Sequence, residues 1–189
     1  MAPPYVGGVK DTVAFVVMVA LTAIALAGVP LASWRTDPVD PCHIAGVAGA
    51  VTIVLLLVAR MRGAIAFERS IFAVFLLGMP LIYISSWLWV TPHDDVVWLV
   101  AELVGFPIYA ALAIAGVRRS PWFLAVGIAA HGIGWDLWHH AHATYIPHWY
   151  ATGCFLMDVG VAIYAAACIP RWRDIVARRR DGSVEAVAT

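Results

Sequence analysis

The residues best suited to chemistry in this chain stand in one short run, His131-Gly-Ile-Gly-Trp135-Asp136-Leu-Trp138-His139-His140-Ala-His142. Imidazole and carboxylate groups ligate borderline metals such as zinc and iron, and they exchange protons in general acid–base catalysis. Asp136 precedes His139 by three residues and His140 by four, so on an α-helix all three fall within about 100° of arc. That spacing predicts Asp136, His139 and His140 as a metal-binding set presented from one helix face. His131 and His142 lie on the adjoining arc but roughly 16 Å apart along the axis, so both cannot serve one small site on a continuous helix. His131 is the deeper of the two, near mid-membrane.

Stepping outward from this run, the elements that must hold it are apolar. The chain is 62% hydrophobic and 13% charged, where a soluble domain carries about a quarter charged residues. Its apolar residues fall in long runs of the kind that cross a bilayer as helices. Six such spans lie near 12–34, 44–60, 70–90, 96–117, 121–141 and 149–169. The fold expected is therefore all-α and integral to the membrane, a six-transmembrane-helix bundle over residues 1–180 with a disordered cytoplasmic tail over 181–189. The short connections favour antiparallel neighbours. The first span is too long for the apolar part of a signal peptide and is read as retained. A formal net charge of zero offers nucleic acid no bulk attraction. Cys42, Cys154 and Cys168 form no CxxC pair, so neither a zinc ribbon nor a thioredoxin-type site is supported.

Charge sets the orientation. Six spans put both termini on one face. With them go Lys10, Arg60, Arg62, Arg69, Arg118, Arg119, Arg171, Arg173, Arg178, Arg179 and Arg180, against Arg35 alone on the other face. Basic residues are retained on the cytoplasmic side. This predicts cytoplasmic termini in a plasma (inner) membrane, with the histidine-rich run toward the outside. Trp34, Trp87, Trp89, Trp98, Trp135, Trp138 and Trp149 then lie toward the outer face and Trp122 and Trp172 toward the inner, as in an interfacial aromatic belt.

Counting rise along each span puts Asp136 and Cys154 about 8 Å below the outer end, Glu102 about 9 Å and Asp158 about 13 Å. Ser85 and Ser86 fall at similar depth, and few such groups are expected in the inner half beyond Ser70. In this layer Glu102 and Asp158 are the candidates to handle protons. Trp135, Trp138, Ser85, Ser86, His131 and Cys154 are candidates to line a substrate site. Buried His–Asp and His–Glu hydrogen bonds that lock helices together would produce the same pattern. His43, His93 and His148 read as peripheral loop histidines. Asp94 and Asp95, after Thr91-Pro92, read as a helix cap and first-turn acid pair. On an oxidising side, Cys42 and Cys154 are candidates for a disulfide.

The segment Trp135-Asp136-Leu-Trp-His139-His140, followed by Gly153-Cys154-Phe-Leu-Met-Asp158, resembles the C-terminal signature of a domain-of-unknown-function family of small bacterial and fungal membrane proteins. Its pattern is Trp-Asp-x2-His-His, then Gly-Cys-x3-Asp, and Glu102 resembles a glutamate of a preceding span. Where that family often has proline after the aspartate, this chain has Val159. The resemblance implies that Asp136, His139, His140, Cys154 and Asp158 act together, and it implies no reaction. A looser likeness in residue types is to the zinc-dependent alkaline ceramidase superfamily, whose seven helices and terminal HxxxH this chain does not share.

Three functions fit these residues. The first is metal-dependent hydrolysis of a lipid or isoprenoid-like substrate, with zinc or iron as the divalent ion and membrane lipids as surroundings. The second is metal-free acid–base isomerisation or cyclisation of a terpenoid, with Trp135 and Trp138 facing a developing cation. The third is metal or haem binding without catalysis.

Overall fold

A computed structural model of the chain describes residues 9–27, 40–89 and 96–180. They are helical almost throughout, with no strand among the described residues. The elements are α1 (Val9–Ala27), α2 (Pro41–Arg62), α3 (Ile65–Trp89) and α4 (Val97–Arg118). A helical run in three parts follows: α5 (Trp122–Ala130), a π-helical segment (His131–Asp136) and α6 (Leu137–His142). The last helix is α7 (His148–Arg180). Of these, α1, α2, α3, α4 and α7 are each long and apolar enough to cross a membrane. The outer end of the first expected span, with Trp34 and Arg35, lies outside the described residues. So do His93, Asp94, Asp95 and the expected tail 181–189.

Local chemistry sets the helix ends. Asp40 caps α2 by accepting the Cys42 N–H at 2.7 Å, with Pro41 at the first helical position. Gly63, at φ 64°, closes the other end in the left-handed region that glycine enters without penalty. That turn reverses the chain directly into α3. Neighbouring helices alternate in direction. Arg60 near the end of α2 reaches Thr12 near the start of α1 at 3.0 Å. Arg69 near the start of α3 donates to the Gly116 and Val117 carbonyls that end α4, both at 2.7 Å. One end of the bundle thus gathers arginines and the opposite end gathers histidines. The helix α7 packs on α1, α5, the π segment and α6, while α3 packs on α2 and α4.

The surface and core invert the pattern of a soluble protein. Val16, Ile44, Val51, Val100, Leu103 and Ile108 are each more than half exposed. Glu68, Glu102, His131, Asp136, His139, Asp158 and Arg171 are buried. Apolar side chains outside and charged ones inside match an apolar solvent, where polar groups must find partners within the protein.

The arginine end corrects the expectation that the inner half holds few polar groups. Glu68 accepts from Tyr164 Oη at 2.8 Å, from Arg171 Nη2 at 2.7 Å and from Trp172 Nε1 at 2.7 Å. Arg171 Nε also pairs with Asp11 Oδ2 at 3.2 Å. This cluster ties α1, α3 and α7 together. It explains why α3 begins before residue 70 and α7 runs past 169, because both extensions carry its members. Trp172, read as an interfacial tryptophan, is 2% exposed and belongs to this core.

Candidate metal centre and its cavity

The site is built on the π segment. A π-wound helix bonds residue i to i+5, so residues five apart come onto one face. His131 and Asp136 are five apart, and His131 Nδ1 stands 3.4 Å from Asp136 Oδ1. Gly132 follows His131 and lets α7 approach closely. A Cβ at position 132 would sit only 2.7 Å from Asp158 Cβ. Through that gap Asp158 brings Oδ2 to 2.8 Å from His131 Nδ1. One ligand atom from each of His131, Asp136 and Asp158 lies within 4.8 Å of the others, and all three residues are buried.

The surroundings hold this group in place and dry. Tyr83 Oη donates to Asp136 Oδ1 at 2.7 Å, fixing that carboxylate. The rings of Tyr109 and Tyr83 lie 5.1 Å and 5.9 Å from the His131 ring. His131 is 1% and Asp136 0% exposed. Among the described residues, His131 Nε2 and Asp136 Oδ2 have no hydrogen-bond partner. Leaving such atoms buried and unmatched costs about 1–3 kcal/mol each.

The donor set fits a divalent ion. Two carboxylates and an imidazole supply three ligands, the number that catalytic zinc sites use while keeping a position open. Ligands about 2.0–2.2 Å from a common ion lie roughly 3 Å from one another. The separations of 2.8 Å and 3.4 Å around His131 Nδ1 are of that size.

A second buried pair stands beside the first. His139 Nε2 lies 2.7 Å from Glu102 Oε1 and 3.1 Å from Tyr145 Oη. His139 Nδ1 donates to the Trp135 carbonyl at 2.9 Å. Trp135 Nε1 donates to Glu102 Oε1 at 2.9 Å. Gly105 makes room for Trp135, since a Cβ there would sit 2.8 Å from its ring.

The expected layer therefore divides. Of the set Asp136, His139 and His140, Asp136 joins His131 and Asp158, and His139 turns to Glu102. His140 is exposed, with Nδ1 3.3 Å from Thr152 Oγ1 and its ring 4.9 Å from that of His148. Ser85 is exposed and bonds the Leu81 carbonyl at 2.7 Å, and Ser86 is buried against Cys42 Sγ at 3.6 Å. Trp138 is 38% exposed and packs on Trp98 at 4.7 Å. Cys42, Cys154 and Cys168 are free thiols. His43 is no loop residue: it lies in the first turn of α2, buried and stacked on Trp149 at 5.6 Å. Tyr83, Tyr109 and Tyr145 were not singled out in the sequence. The available signal was a phenol inside an apolar span at the depth of the carboxylates.

A cavity of about 410 Å³ reaches this centre. It runs between α2 and α3 with α7 behind it, and His131, Asp158, Tyr83 and Cys154 form its polar part. Glu102, His139, Ser85 and Ser86 do not line it. No family model, no curated protein and no solved structure matches the chain.

Proposed function

We propose that this chain is a six-span membrane enzyme that holds a zinc or iron ion on His131, Asp136 and Asp158 and hydrolyses a lipid or isoprenoid-like substrate. The observation that carries the reading is the meeting of an apolar cavity with a buried His–Asp–Asp group that has unmatched polar atoms. Ligand sites are commonly apolar clefts with a few convergent polar groups. The span that completes the six, fifth in chain order, is the helical run from Trp122 to His142, whose π-wound middle carries two of the three ligands.

A bound divalent ion supplies Lewis acidity and makes water a nucleophile near neutral pH. The protein's own part is positioning. Tyr83 orients Asp136, the gap at Gly132 admits Asp158, and the Tyr109 ring keeps bulk water from His131. Glu102 and His139 act at one remove, by holding Trp135 and the helix that carries Asp136. The resemblance to the domain-of-unknown-function family supports treating Asp136 and Asp158 as one unit.

Elemental analysis of purified protein tests the reading. Stoichiometric zinc or iron is expected in the wild type and in His140→Ala, and its loss in His131→Ala and in Asp158→Asn. Hydrolysis of fluorogenic lipid esters should vanish with chelation and return with the ion. A wild type without metal that cannot be reloaded would sink the proposal. A closed His131–Asp158 hydrogen bond at 2.8 Å also suits metal-free acid–base chemistry, and activity surviving exhaustive chelation would select it.

A further inference from the structure

The cavity has a shape and a polarity that narrow its occupant. Its wall on α3 follows one helical stripe, from Phe67 through Ser70, Val74 and Gly78 to Tyr83. Phe67 and Tyr83 are sixteen positions apart, or roughly 24 Å of helix. The wall on α2 runs beside it from Cys42 to Leu55. Polar groups gather only around Tyr83, His131, Cys154 and Asp158. Toward Phe67 the two hydroxyls present, Ser70 and Thr52, each bond their own helix, to the Ala66 and Ala48 carbonyls at 2.9 Å. Their single donors are already used, so that end offers an occupant no hydroxyl donor and is otherwise apolar.

The polar end is also specific in charge. It offers one carboxylate, that of Asp158, with an imidazole, thiols and phenols, and among the described residues no lysine or arginine lines the cavity. The two carboxylates of the metal centre would at most neutralise a divalent ion. Among the described lining residues nothing would neutralise a phosphate or pyrophosphate head, whereas an uncharged oxygen needs only a hydrogen-bonding group, which this end has in Tyr83, His131 and Cys154.

We infer that the cavity binds one apolar chain, its tail toward Phe67 and an uncharged oxygen head (alcohol, ester or amide) beside Tyr83, His131 and Asp158. The inference rests on reading this site as the substrate site and does not require the metal. Gly78 sets how far the chain can pass. A Cβ at that position meets no atom within 4 Å, so a large side chain there would project into open cavity.

Photolabelling of the full-length protein in nanodiscs tests this with hexadecanol carrying a diazirine. A group at the methyl end should label α3 between Phe67 and Phe75. A group next to the hydroxyl should label around Tyr83 or Cys154–Asp158. Unlabelled hexadecanol should compete, and hexadecyl phosphate should compete about tenfold less well or worse, because no cationic side chain among the described lining residues meets it. Gly78→Phe should remove the methyl-end label, and Leu81→Phe, on the exposed face of the same helix, should retain it. Labels confined to residues outside the cavity lining, equal competition by the phosphate, or full methyl-end labelling of Gly78→Phe would each overturn the inference. The wild-type label alone locates the chain, so a poorly folded variant does not protect the idea. Metal content measured on the same samples separates the two readings. Correct labelling without metal removes the metal-dependent function and leaves the chain site standing.

Discussion

Glu102 and His139 show how much a hydrogen-bond inventory decides before any chemistry is assigned. His139 Nδ1 faces only a carbonyl oxygen, that of Trp135, and must carry a hydrogen. Nε2 meets Glu102 Oε1 at 2.7 Å and Tyr145 Oη at 3.1 Å. Glu102 also receives the Trp135 indole N–H. Both contacts meet one atom, Oε1, where glutamine can place its oxygen or its nitrogen but not both, so it keeps one of the two. Alanine can make neither. Glu102→Ala should therefore destabilise the bundle by about 3–5 kcal/mol, the cost of removing one partner from a buried pair. Glu102→Gln should cost about 1 kcal/mol. Unfolding in mixed detergent micelles measures both. Metal content should stay at the wild-type level in Glu102→Gln, because Glu102 is outside the ligand group and does not line the cavity. Loss of the ion in that variant would return Glu102 to the metal centre.

At the scale of the element, the π segment separates what spacing could foresee from what it could not. A uniform turn of 100° per residue placed Asp136 with His139 and His140 and set His131 apart. The wider turn moves His131 onto the face of Asp136, and no residue count reveals a π turn in advance. The signal that existed was the pair of glycines in His131-Gly-Ile-Gly-Trp135, and the two have different roles. A Cβ at Gly132 would press on Asp158 Cβ at 2.7 Å, whereas one at Gly134 meets nothing within 4 Å. Gly132→Ala should push α7 away from His131, weaken metal binding about 10–100-fold and cost about 1–3 kcal/mol from overpacking. Gly134→Ala should leave metal binding intact and stabilise the helix by a fraction of 1 kcal/mol. Metal titration and thermal unfolding of the two variants provide the comparison, and equal behaviour would mean that the Gly132–Asp158 approach does not build the site. The rest of the architecture was far more legible, because long apolar runs leave few choices. The ends of α3 and α7 were not, since Glu68 and Arg171 look like surface charges until their partners come from other helices.

For the molecule as a whole, the open matter is which way the bundle stands in its membrane. The sequence places eleven basic residues on one face and one on the other. Arg171 contributes little to that bias, because Glu68 holds it at 2.7 Å and Asp11 at 3.2 Å inside the bundle. Ten against one remains a strong preference for a cytoplasmic arginine end. The alternating helix directions put the exposed Ala141 at the histidine end and the exposed Arg173 at the arginine end, so the two report on opposite faces. Ala141→Cys should react with a membrane-impermeant maleimide in intact cells. Arg173→Cys should react only after the membrane is opened. The native cysteines set a low background, since Cys42 and Cys168 are buried and Cys154 is half-buried. The consequence is chemical as well as topological. With the arginine end inside, Tyr83, His131 and Asp158 face the outer half of the bilayer and the apolar end of the cavity points inward. A substrate would then present its head from the outer leaflet. The reverse labelling pattern would turn the bundle over and place the polar end of the cavity in the cytoplasmic leaflet.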